Sequence, residues 1–326
     1  MSAESKKISF ISTARCIGIL LVVFGHSYPF DVYIPPVLWK AHEFIYTFHM
    51  PLFIFISGYL LAKSRRPAGS YIARRARRLL IPYFALSIAA FVPKVMVQRF
   101  LNDSFELSLL NFIKTELIPR QNVWGHFWYI PVVFFLCSAG IVLAKYLREQ
   151  KPVRIAALAV TFGLLFLPQT TEWFALEDVR KQAFYFTLGM VVSGMDDADC
   201  VIGHPLWLLA LPAAVALNAL GDGIPVSAAC ACAMVGFVLH IGTKVDIGSV
   251  PVLKAIEKNS FTIFLLSWPG QAVTEVVLNK LLHLPAVFVM VCMFLAGVIV
   301  PLICVKIITE LSKKLSLNWL KEAVGM

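Results

Sequence analysis

The stretch Phe44–Ala62, FIYTFHMPLFIFISGYLLA, runs for nineteen residues without a fixed charge. As a helix it would be about 28 Å long, close to the hydrocarbon thickness of a bilayer. Comparable apolar runs recur at about 10–28, 79–97, 127–147, 155–168, 182–195, 205–220, 226–242, 259–279 and 285–308. The runs at 155–168 and 182–195 are short, and Pro168, Pro205, Pro212 and Pro225 punctuate this region, as membrane helices tolerate. The chain has 326 residues, 59% hydrophobic and 15% charged, with a mean hydropathy of +0.78. A water-soluble core cannot bury that much apolar surface, so lipid is part of the solvent. The reading is an all-α, polytopic transmembrane bundle of about ten helices, forming one domain over residues 1–326. No internal repeat or low-complexity linker divides it. The first run, Phe10–Tyr28, lacks a small-residue cleavage site and reads as a retained helix, not a signal peptide.

Orientation follows from the 29 lysines and arginines. With the N-terminus inside, nineteen fall on the inner side and eight on the outer, while Arg15 and Lys306 lie within segments. Positive residues concentrate on the cytoplasmic side, so both termini are expected in the cytoplasm. The inner loop 196–204 departs from the pattern, with Asp196, Asp197 and Asp199 and no base. It lacks the length and oxygen ligands of a cation loop and reads as a solvated turn; no metal is expected. The net charge of +10 sits between apolar segments and not along one soluble face, which argues against nucleic acid as a partner. The seven cysteines are odd in number and mostly inside apolar runs, so no disulfide framework is expected. The long outer stretch at about 98–126 begins amphipathic, with Phe100, Leu101, Phe105 and Leu107, and is expected on the membrane surface or over the mouth of a site.

Several residues stand out against the apolar background. Arg15 and His26 are eleven apart in the first run, close to three helical turns, so they share a side about 16 Å apart along the axis. An arginine inside hydrocarbon tends to face a bundle interior or a wet cavity, although one this near a segment end can also snorkel. His49 leads the second run's Met50-Pro51-Leu52-Phe53, and Ser57-Gly58-Tyr59 follows; Ser57-Gly58 also reads as a small-residue packing face. Arg74-Arg75-Ala76-Arg77-Arg78 precedes the third run. These arginines could set topology against anionic lipid, or, at i and i+3 on a helix, grip phosphates together.

Taken in order, Arg15…Gly25-His26, His49-Met50-Pro51-Leu52-Phe53 with Ser57-Gly58-Tyr59, and Arg75-x-x-Arg78-Leu79-Leu80-Ile81-Pro82-Tyr83 resemble the acyltransferase-3 family. His126-Phe127-Trp128-Tyr129 is similar to the family's His-x-Trp-Phe segment. The resemblance covers about 8–308 and is most specific in the first 130 residues. In the second half it rests on hydropathy and on Asn259-Ser260-Phe261-Thr262-Ile263-Phe264. There the chain continues Leu265-Leu266-Ser267-Trp268-Pro269 where many members carry a histidine, so no role of that histidine transfers. The resemblance implies an O-acetyltransferase of the bacterial inner membrane, which moves an acetyl group from acetyl-CoA to a sugar hydroxyl of an envelope polysaccharide or its lipid-linked precursor. It implies that Arg75 and Arg78 bind the CoA phosphates and that Arg15 helps to place the donor. His26 would be the general base or a transient acyl carrier, and His49, Ser57, Gly58, Tyr59, His126 and Trp128 would line the site. The partners would be the bilayer, acyl-CoA and the glycan. The competing class is a transporter or flippase, against which stand the missing repeat of halves and the lack of an acidic coupling residue deep in a segment.

Overall fold

The computed structural model describes residues 3–97, 108–169, 171–221 and 223–326, and among them the regular elements are all helices. In chain order the α-helices are α1 (Ala3–Gly25), α2 (Pro36–Ala62), α3 (Ala68–Val97), α4 (Leu109–Leu117), α5 (Tyr129–Glu149), α6 (Lys151–Leu164) and α7 (Leu176–Ser193). They continue with α8 (Ala198–Gly203), α9 (Ala210–Asn218), α10 (Ile224–Lys244), α11 (Pro251–Lys258), α12 (Ser260–Glu275), α13 (Ala286–Leu315) and α14 (Trp319–Ala323). Each of the ten apolar runs overlaps a helix. Among the described residues, six stretches are long and apolar enough to cross a membrane: Pro36–Ala62, Ala68–Pro93, Gly125–Glu149, Ile224–Lys244, Ser260–Leu281 and Ala286–Leu315. Phe10–Gly25 and Pro205–Asn218 are shorter apolar helices. The fourteen residues of α6 reach about 21 Å. In α7 the charges Glu177, Asp178, Arg180 and Lys181 occupy its first turns.

Two stretches differ from the sequence expectation. The third run was expected to start at 79, yet α3 begins at Ala68, directly after Pro67. Arginines and alanines are strong helix formers, so the polar stretch continues the helix. Arg74–Arg78 therefore sit on α3 and not in a loop. The outer stretch, over its described part, enters the bundle: Asn122, Val123, Trp124, His126 and Phe127 are buried. A polar network lets it do so. Asn122 donates to Ser87 Oγ at 3.0 Å and to Glu116 Oε1 at 2.9 Å, Tyr83 donates to the Glu116 carbonyl, and Trp124 Nε1 donates to the Leu86 carbonyl. The amphipathic start of the stretch lies outside the described residues.

α2 and α7 cross with their backbones in close approach. A Cβ on Gly58 would lie 2.0 Å from the Phe186 carbonyl oxygen, and one on Gly189 would lie 2.1 Å from that of Phe55. Only glycine permits backbones this near, the small-residue packing that membrane helices favour. α2 thus runs through the middle of the bundle, with α1, α5, α7 and α10 against it.

Candidate functional site

His26 follows the last turn of α1, where helix carbonyls lose their internal donors. Here other helices supply them. Gln271 of α12 donates through Nε2 to the Val23 carbonyl (2.8 Å) and to Ser27 Oγ (2.9 Å). The Gly25 carbonyl accepts from His42 Nε2 (3.1 Å) and from the Tyr46 hydroxyl (3.2 Å), both on α2. A Cβ at Gly25 would lie 2.8 Å from the Tyr46 ring, so this glycine is what lets the tyrosine approach. The end of α1, and with it His26, is held from two sides.

His26 opens into a cavity of about 430 Å³ lined also by Tyr46, Thr47, His49, Met50, Pro51, Arg120, His126, Trp128 and Tyr185. Its imidazole ring lies 5.7 Å from that of His126 and 6.2 Å from the Tyr46 ring, and Tyr46 is 4.8 Å from His49. His49 donates through Nδ1 to the Ile45 carbonyl at 2.8 Å, which makes Nε2 the acceptor when the ring is neutral. His126 Nε2 is buried without a hydrogen-bond partner. Pro51 has no amide to offer the carbonyl of Thr47, four residues earlier, and both residues line the cavity.

The wall of this cavity carries cations held by acids of α7. Arg120 Nε donates to Asp178 Oδ2 at 2.8 Å while its guanidinium lies 4.7 Å from the centre of the Trp128 ring. Arg180 and Lys181 both pair with Glu177, at 2.6 and 3.1 Å. The side chains of Asp178 and Glu177 are only 5% and 8% exposed, so each needs its cation. Nearby on α4, outside the spanning helices, burial pushes the Glu116 carboxyl up to about 7, with bonds from Ser87, Asn122 and Tyr83 acting the other way.

A second cavity, of about 150 Å³, is lined by Arg15, Ile19, Met50, Phe53, Ser57, Arg75, Arg78, Tyr129, Ser260, Phe261 and Phe264, among others. Arg75 and Arg78 share a face of α3, and Arg75 Nε donates to the Tyr71 hydroxyl at 3.2 Å. Arg15 pairs with Glu257 of α11. The three arginines expected at one site therefore do converge, and Ser57 joins them. His49, His126 and Trp128 converge with His26 in the first cavity. Gly58 and Tyr59 line neither: Gly58 meets the α7 backbone, and Tyr59 is 1% exposed, edge-on to Phe10 and accepting from Lys63 Nζ at 3.0 Å.

The sequence expectation passed over His42, Tyr46 and Gln271, and it quoted Tyr129 and Phe264 within motifs without placing them at a site. His42 had a signal, since it, Tyr46 and His49 recur at helical spacing on one face of α2. Gln271 had none within an apolar run. His240 is 1% exposed, with Nδ1 on the Ile202 carbonyl. Glu275, also buried, accepts from the Phe30 amide at 2.8 Å and so anchors the loop after α1. Among the described residues, no three His, Cys, Asp or Glu side chains are grouped to hold a metal.

The profile of a family described as an acyltransferase domain (Acyl_transf_3) matches residues 8–306. An O-acetyl transferase of Shigella phage Sf6 is 24% identical over 346 residues, spanning 96% of this chain and 99% of that protein. Nodulation protein NolL of Sinorhizobium fredii is 30% identical over 187 residues, 53% of this chain and 48% of that one. NolL of Mesorhizobium japonicum is 31% identical over 173 residues, covering 51% and 44%. No solved structure matches. With a family match that spans nearly the whole chain, this membrane protein belongs to the acyltransferase-3 family and is an O-acetyltransferase.

Proposed function

We propose that the enzyme transfers an acetyl group from acetyl-CoA to a sugar hydroxyl of an envelope or exported polysaccharide, or of its lipid-linked precursor. The observation that carries this reading is the pair of adjoining cavities, one holding His26 and one holding three arginines. In this reading Arg75 and Arg78 grip the phosphates of the donor, because guanidinium groups match phosphate oxygens bidentately. Arg15 completes that cationic wall. His26 takes the proton of the acceptor hydroxyl as its oxygen attacks the thioester carbonyl. The C–S bond then breaks, and the departing thiolate takes up a proton as free CoA. Neutral imidazole near pH 7 suits that step. His49, His126 and Trp128 line the acceptor's space, and the charged atoms of Arg120, Arg180 and Lys181 are already engaged by α7 acids. The chemistry requires no metal.

We further place the single domain in the bacterial inner membrane, crossing it about ten times with both termini in the cytoplasm. The charge bias supports this, and so do the contacts between distant segments. Arg77–Glu322 and Arg148 to the Ser64 carbonyl each join two loops assigned to the inner side, and Arg15–Glu257 and Arg154 to the Gly194 carbonyl each tie such a loop to the expected inner end of an apolar run. Arg120–Asp178 joins two loops assigned to the outer side, and Arg180 reaches the Leu164 carbonyl at the expected outer end of a run. The arginine cavity then faces the cytoplasmic supply of CoA, and His26 lies toward the outer face.

The test is glycan O-acetyl content, read by NMR on polysaccharide from cells that express the wild type, His26→Ala or Arg78→Ala. The reading expects O-acetyl signals to vanish in both variants at equal protein levels. Unchanged acetylation in a well-expressed variant would sink the assignment.

A further inference from the structure

The two cavities share two lining residues, Met50 and Phe264. Both side chains are buried, 8% and 6% exposed. Phe264 touches both sides at once. Its ring lies 5.1 Å from His126 of the histidine cavity and 5.3 Å from Tyr129 of the arginine cavity, with Phe261 stacked beside it. Met50 is on α2, where His49 lines the histidine cavity and Phe53 the arginine cavity. A thioester whose phosphates rest among the arginines must bring its acyl carbon past these two side chains to reach His26. Arg15 of the arginine cavity and His26 of the histidine cavity stand about 16 Å apart along α1.

We propose that Met50 and Phe264 form the partition between a donor chamber and an acceptor chamber, and that the gap between them sets the largest acyl group transferred. Acetyl clears an aperture bounded by a flexible methionine and a fixed aromatic ring; longer chains must displace Phe264 against His126 and Tyr129. The proposal rests on the reading of acyl-CoA as the donor. It makes these residues determinants of specificity, distinct from the groups that bind or activate. A hydrophobic aperture discriminates by roughly 10–200-fold per methylene, so widening it by several carbons gives a measurable change.

Inverted membrane vesicles from the producing cell present the arginine side outward and contain the native acceptor. They are supplied with radiolabelled acetyl-CoA or butyryl-CoA, and label in the glycan is followed for the wild type, Met50→Ala, Phe264→Ala and the milder Phe264→Leu. The expected result is a butyryl-to-acetyl ratio of kcat/KM that rises about tenfold or more in the widened variants. A purely structural role would lower both donors together and leave the ratio alone. An unchanged ratio in any variant that still transfers acetyl overturns the partition and leaves the donor reading standing. Absence of label from either donor in the wild type overturns the donor reading, and the partition falls with it.

Discussion

Replacing Gly189 by alanine tests the packing on which both cavities depend. The added Cβ would sit 2.1 Å from the Phe55 carbonyl oxygen, 2.9 Å from its carbon and 3.0 Å from the Tyr59 nitrogen. A carbon–oxygen contact relaxes at about 3.3 Å, so α2 and α7 must separate by about 1 Å. The obstacle is backbone, which has no rotamer to escape into. A gap of that size forfeits roughly a quarter to a half of each dispersion contact across the crossing. Overpacking costs about 1–3 kcal/mol, and this site belongs at the upper end. At roughly 1.5 °C per kcal/mol for a chain of 326 residues, Gly189→Ala is expected to melt about 4–5 °C below the wild type. The assay is thermal unfolding of detergent-solubilised protein, followed by size-exclusion chromatography. Gly163→Ala on α6 is the control, since nothing lies within 4 Å of its Cβ and alanine gains helix propensity; it should be neutral or stabilising. A Gly189→Ala protein melting within about 1 °C of the wild type would refute the crossing as described.

Gln271→Leu removes the two hydrogen bonds that α12 gives to the end of α1, and misplacement of His26 should lower kcat by up to about 100-fold while the KM for acetyl-CoA stays put. The Glu116 carboxyl is raised to about 7 in the folded protein, above its unfolded value, so the native state holds more protons and stability falls as pH rises from about 4.5 through 7. Melting curves for Glu116→Gln should lose that slope, and an equal slope in both proteins would refute the assignment. Arg120→Ala strands the buried Asp178 carboxylate and should cost about 3–5 kcal/mol, whereas Asp178→Asn leaves a half-exposed Arg120 that water can solvate, and should cost far less. In intact cells, an impermeant thiol reagent should label Gln121→Cys and spare the exposed Cys200; the reverse pattern would invert the topology.

The helices were legible in the sequence because hydropathy reports directly on burial in lipid: all ten apolar runs overlap helices. The convergence of Arg15 with Arg75 and Arg78, and of His26 with His49 and His126, was legible as a motif order, not as geometry. Hydropathy could not show that Asn122–Phe127 enters the bundle, because that burial depends on a polar network between residues far apart in the chain. Nor could it show that α3 starts at Ala68, since arginine is polar yet helix-forming. Gly58 and Tyr59 share a motif with Ser57 but point elsewhere, as neighbouring positions on a helix must. Gln271 was invisible for a simpler reason, and Phe264 was quoted within a motif but given no place at a site. An amide or a phenyl ring in an apolar run gains meaning only from what stands across from it.

The proposed mechanism divides the labour between arginines that hold the donor and a histidine that performs the chemistry. Acetyl-CoA binding and turnover, measured together on purified His26→Ala in lipid nanodiscs, test it most directly. The predicted result is donor affinity within about twofold of the wild type, with transfer reduced by a factor of about 100 or more. Retained transfer, or loss of donor binding in a folded His26→Ala protein, would contradict it.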